Sequence, residues 1–157
     1  MKGFIIFLAT FLMLTSCSTD DDVCTGGEGT PRMKIKFKTE ATGKARTMDS
    51  LFVSVDYGGG EVPVVQNRFP TDSVLIPLRV EDVPFTELYI RTAAAGPASV
   101  VKINHTTVNE YVSPACGIRK LYQEVTYQLQ TPVPVLGTES AQNQIVNEDK
   151  THLFLLF

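Results

Sequence analysis

From Arg32 to Lys38 the chain alternates without a break, with Met33, Ile35 and Phe37 on one side and Lys34, Lys36 and Lys38 on the other. Period two is the signature of a half-buried strand. The three lysines read as a solvated outer or edge face that discourages sheet-edge pairing. Leu51, Val53, Val55 and Tyr57 repeat the pattern until Gly58-Gly59-Gly60 ends it in a turn or bulge. Ser73 to Leu78 is strand-like, but Pro77 has no N–H to donate and confines it to an edge or a bulged position. Glu87 to Arg91 predicts another short strand. Ser99–His105 and Val108–Ser113 read as two arms around a polar bend near Thr106–Asn109, and Leu121, Val125, Tyr127 and Leu129 mark a further strand. Thr131 to Thr151 carries the least pattern. The apolar end from His152 to Phe157 would invite aggregation if left in solvent, so it is expected inside a sheet.

No segment after residue 17 has helical periodicity. The expectation is an all-β domain, an immunoglobulin-like β-sandwich of about seven to eight short antiparallel strands, with a small β-barrel as the alternative. The lack of Trp and the cysteine spacing argue against a true antibody-type domain. A length of 157 residues supports one domain. With 14 Lys+Arg against 17 Asp+Glu, the charge is weakly acidic and spread, which argues against a nucleic-acid partner.

The first residues follow a different logic. Lys2 precedes an apolar run from Phe4 to Leu14. That run is too short for a membrane span, which takes about 20 residues, but it fits the roughly 7–15 residues of a signal-peptide core. Leu14-Thr15-Ser16-Cys17 closes the run and resembles the lipobox of bacterial lipoproteins. The organisation expected is a leader over 1–16, lipidated Cys17 with an acidic flexible tether over 17–31, and a β domain over 32–157. Asp20-Asp21-Asp22 lies in that tether, where adjacent carboxylates repel and stay solvated. A calcium loop would need alternating rather than consecutive acids. Short acidic runs after a lipidated Cys resemble the export signal of Bacteroidota-type lipoproteins bound for the cell surface.

With Cys17 acylated, Cys24 and Cys116 remain, an even pair in an oxidising compartment. A disulfide between them is the simplest assignment. Buried free thiols and thiol chemistry are the alternatives. A structural zinc site would need four ligands with short-spaced pairs, and a Cys nucleophile would need an oriented His base; neither spacing is present.

The acidic lipoprotein start, Cys24 ahead of Gly29-Thr30-Pro31-Arg32, a late Cys116-Gly117-Ile118, and Asn147-Glu148 followed by Thr151-His152-Leu153 together resemble a family of small Bacteroidota-type lipoproteins of unknown function. The resemblance implies a secreted, lipid-anchored domain with no activity or cofactor to carry over. It also supports pairing of Cys24 with Cys116, which sit beside its motifs.

Chemistry-bearing residues are sparse. His105 and His152 are single, and each is expected to be a polar outer-face residue or a hydrogen-bonding group rather than a base or metal ligand. There is no Gly-x-Ser-x-Gly motif. No catalytic residue, cofactor or metal is assigned. Two functions are carried forward. The first is a non-enzymatic binding or structural module, lipid-anchored at the outer membrane on the cell surface or the periplasmic face, whose partner is an envelope protein or a glycan. The second is a small extracytoplasmic hydrolase or glycan-processing accessory.

Overall fold

The computed structural model describes residues 29–157 apart from Arg68. The leader, Cys17, the acidic run and Cys24 therefore lie outside the described residues.

Nine strands follow in order: β1 (Met33–Lys38), β2 (Leu51–Asp56), β3 (Glu61–Asn67), β4 (Ser73–Ile76), β5 (Phe85–Arg91), β6 (Ser99–Ser113), β7 (Gly117–Leu129), β8 (Gly137–Ser140) and β9 (Leu153–Leu156). They form two sheets, ordered β4-β1-β9-β8 and β3-β2-β5-β6-β7. The sheets stack on one shared core to give a β-sandwich. Met33, Ile35, Phe37, Leu153 and Leu155 of the smaller sheet meet Leu51, Val53, Val55, Leu88, Ile90, Val101 and Ile103 of the larger. Neither sheet closes on itself, so the barrel alternative is excluded. Every pairing is antiparallel except β1 with β9, in which the first and last strands run parallel.

Alternation places the inward faces of β1 and β2 as expected. The terminal strand is an inner one, between β1 and β8. Pro77 stands just past β4, at a sheet edge. The three lysines are outward, but β1 is interior rather than an edge. Lys38 Nζ pairs with Glu139 at 2.8 Å, and Lys36 Nζ lies 3.6 Å from Asp72.

The triple glycine is the β2–β3 hairpin turn. Gly58 and Gly60 take left-handed φ values of 98° and 106°, where a side chain is disfavoured, and both donate N–H groups to Asp56 Oδ1. The strand after it, β3, escapes the alternation pattern because it carries Pro63 and a bulge. Both features are tolerated at an edge.

The polar bend expected near Thr106–Asn109 is absent, and β6 runs straight through it. The disturbance lies across the ladder, where β7 inserts Glu124 (φ 53°) opposite the His105 region and the register shifts between Asn104 and Thr106. The extra residue moves the inward set of β7 from Val125, Tyr127 and Leu129 to Tyr122. Tyr122 is fully buried in the core cluster, and Leu121, expected inward, is not part of that cluster.

The weakly patterned stretch after Thr131 is anchored too. Val135 N–H donates to Ser99 Oγ at 2.8 Å, Ile145 exchanges both main-chain hydrogen bonds with Tyr122, and Val125 N–H donates to Asn143 O at 2.9 Å. These contacts cover part of the β7 edge.

Candidate functional site

Both histidines are buried, His105 with 3% and His152 with 2% of its surface exposed, so neither lies on an outer face. His152 precedes β9. Its Nδ1 accepts the Lys34 N–H at 2.9 Å, and its own N–H donates to Lys34 O at 2.9 Å. Burial, then the nearby Lys34 charge, hold its pKa below the ordinary imidazole value, against a main-chain bond to Asn147 that raises it. His152 is therefore a neutral joint between β1 and β9.

His105 packs edge-to-face on Tyr122, with ring centroids 5.0 Å apart, and its Nε2 lies 3.1 Å from Thr86 Oγ1. Burial and the Arg79 charge lower its pKa. Burial pushes the Tyr122 phenol up to about 12. A Thr hydroxyl at hydrogen-bond distance from an imidazole has the spacing of a nucleophile and its base. Thr86, however, is 0% exposed and also accepts the Arg79 N–H at 3.1 Å, so its oxygen cannot meet a substrate. The pair is a polar clasp in the core.

Cys116 sits at the turn of the β6–β7 hairpin, where its N–H donates to Ser113 Oγ at 3.1 Å. Its expected partner Cys24 lies outside the described residues. On the same hairpin, Lys120 N–H donates to Thr30 Oγ1 at 3.0 Å. Thr30 and the buried Pro31 thus belong to the folded body, although the expected boundary left them in the tether. Beside them Arg32 grips Glu148 with two parallel bonds of 2.8 and 2.7 Å, and its N–H reaches the same carboxylate at 3.0 Å. This pair, with Gly29 and Asp149, borders a depression of about 440 Å³. The guanidinium and carboxylate satisfy each other there. The contact lowers the Glu148 pKa and raises that of Arg32.

The arrangement best suited to an external ligand is on the outer face of the larger sheet. Register places Phe52 opposite Arg91, Ser54 opposite Tyr89 and Phe85 opposite Asn104, all directed away from the core. Phe52, Ser54, Pro63, Gln66 and Arg91 line a shallow cleft of about 240 Å³. Arg91 reaches across β2 to Glu61 on β3, at 2.8 and 3.0 Å, and the guanidinium holds the Glu61 carboxyl below its usual pKa. Lys102 Nζ stands 4.1 Å from the centre of the Phe85 ring. An apolar ring flanked by a hydroxyl, an amide and a paired guanidinium suits a neutral ligand with one apolar and one hydrogen-bonding side. None of these residues emerges from motif reading. Their signal was Phe52, a large aromatic on the outward phase of an otherwise polar-out strand.

Among the described residues no group of three His, Cys, Asp or Glu side chains is placed to hold a metal. No family model matches this chain, and neither a curated protein nor a solved structure is significantly similar to it.

Proposed function

We propose that this chain is a lipid-anchored lipoprotein of the cell envelope, held at the outer membrane through Cys17 with its β-sandwich on the cell surface, and that it is a non-enzymatic module binding a glycan. The membership of a Bacteroidota-type lipoprotein family drawn from its motifs belongs to the same proposal. The observation that carries the binding role is the outward cleft of Phe52, Ser54, Gln66 and Arg91. A sugar ring offers a face of C–H groups to an aromatic side chain and hydroxyls to the polar rim. Both histidines are engaged in hydrogen bonds within the fold.

A Cys24–Cys116 disulfide is part of the proposal. Six residue steps lead from Cys24 to Thr30 and reach at most about 21 Å when extended. Thr30 is fixed beside Lys120, four positions from Cys116 on the same hairpin, so the span is within reach.

Binding is tested by electrophoresis in native gels containing a mixed-linkage β-glucan, a galactomannan or an α-mannan. Retardation by one of these, lost on Phe52→Ser, supports the glycan reading. No retardation by any of them sinks it and leaves an envelope protein as the partner. Anchoring is tested by Cys17→Ser, which should move the protein from membranes to the soluble fraction. The disulfide is read as a mobility shift on reduction of that soluble form.

A further inference from the structure

The β6–β7 hairpin outgrows the sandwich. β5 accompanies β6 only as far as Asn104, whereas the β6–β7 ladder continues from Thr106–Gln123 to Ser113–Gly117. On this arm Thr107 opposes Tyr122, Asn109 opposes Lys120 and Tyr111 opposes Ile118. By the period-two rule these rungs lie on the side that faces the core lower down. The inner face of the larger sheet therefore runs out past the cover of the smaller one. It ends in a cross-strand apolar pair in solvent, Tyr111 at 65% and Ile118 at 66% exposure. The charged side chains nearest the pair are occupied, Arg119 with Glu110 and Lys120 with Asp82.

The N-terminal chain leaves the domain at this same arm, since Thr30 is bonded to Lys120 two residues from Ile118. Thirteen residue steps lead from Cys17 to Thr30 and span at most about 47 Å. With Cys24 bonded to Cys116, only seven residue steps lead from Cys17 to the hairpin turn, spanning at most about 25 Å. With that bond in place, the tether from the proposed anchor starts at the end of the molecule that carries the exposed pair.

We propose that the hairpin tip is a membrane-contacting foot, with Tyr111 and Ile118 seated in the headgroup region of the bilayer that holds the anchor. The inference rests on the lipid-anchor reading. Tyrosine suits that depth because its ring enters the apolar boundary while its hydroxyl stays among the headgroups. Two side chains would not hold a soluble protein to lipid. A tether makes the encounter intramolecular, so a weak contact is enough to set orientation. Standing on this foot, the sandwich directs the far end of β7 away from the lipid.

The chain has no Trp, so a single substitution makes a sole reporter. The full lipidated protein carrying Tyr111→Trp is reconstituted into phosphatidylcholine vesicles and floated. A second form carries Val133→Trp, an exposed site beyond the far end of β7. The expected result is that Trp emission at 111 shifts to the blue and is quenched when the lipid is brominated, while emission at 133 is unaffected. Flotation without quenching at 111 overturns the foot and leaves the anchor standing. Equal quenching at both sites also overturns it, since the domain would then lie without orientation. Failure to float removes the anchor and the foot with it.

Discussion

Lys34 and His152 hold each other by two hydrogen bonds of equal length. The Lys34 N–H donates to His152 Nδ1, and the His152 N–H donates to Lys34 O, each at 2.9 Å. An imidazole nitrogen thus stands in for a strand carbonyl at the point where β1 and β9 begin their parallel pairing. It can do so only while unprotonated.

This sets a pH dependence. The folded-state pKa of His152 is lowered, chiefly by burial, and so is that of His105. Between the folded and unfolded values the unfolded chain binds more protons, so stability rises with pH there. The contribution is complete above the unfolded value of about 6.5 and is lost as pH falls below it. Denaturant titrations from pH 8 down to pH 5 should show that loss. His152→Phe should weaken its slope without abolishing it, since His105 remains. At pH 8 the same variant should cost about 1–3 kcal/mol, because the half-buried Lys34 N–H loses its acceptor. An unchanged pH slope would remove His152 from the linkage.

Thr86→Val tests the core clasp. It strips the Arg79 N–H and His105 Nε2 of their common partner. A loss of about 1–3 kcal/mol in urea unfolding is expected. A stability change near zero would mean that water or a local shift replaces the hydroxyl.

Glu124 occupies left-handed backbone at φ 53° in the β7 bulge. That conformation costs a side-chain-bearing residue about 1–2 kcal/mol, and glycine nothing. Glycine's extra freedom in the unfolded chain returns roughly 0.5–1 kcal/mol of this. Glu124→Gly should therefore raise stability by up to ~1 kcal/mol, and Glu124→Val should lower it, since branching at Cβ is least tolerated there. Melting temperatures in the opposite order would contradict the bulge assignment.

Removal of β9 should prevent folding. Leu153, Leu155 and Phe157 are buried, and each contributes roughly 1.5–3 kcal/mol by burial. Their sum is comparable with the whole stability of a domain, about 5–15 kcal/mol. A chain ending at Lys150 that keeps a cooperative melt would refute this.

The sequence by itself determined the all-β class, the inward faces of β1 and β2, the glycine turn and the need to bury the C-terminal strand. Each follows from local chemistry, because pleat period and left-handed φ act within a few residues. Tertiary structure decided what depends on distant partners. The β6 segment at Thr106–Asn109 looks like a bend by composition, yet pairing with β7 carries it straight. Glu124 gives no local sign of the bulge that turns Tyr122 into the core cluster. Gln142 to Ile145 is polar and unpatterned, but it has the β7 edge to bond to. The cleft at Phe52, Gln66 and Arg91 is assembled from three strands whose order no local pattern encodes. For His105 and His152 the sequence predicts polar surface or hydrogen-bonding residues. The hydrogen bonding was legible because an imidazole accepts and donates; their burial was not, because it depends on which strands close over them.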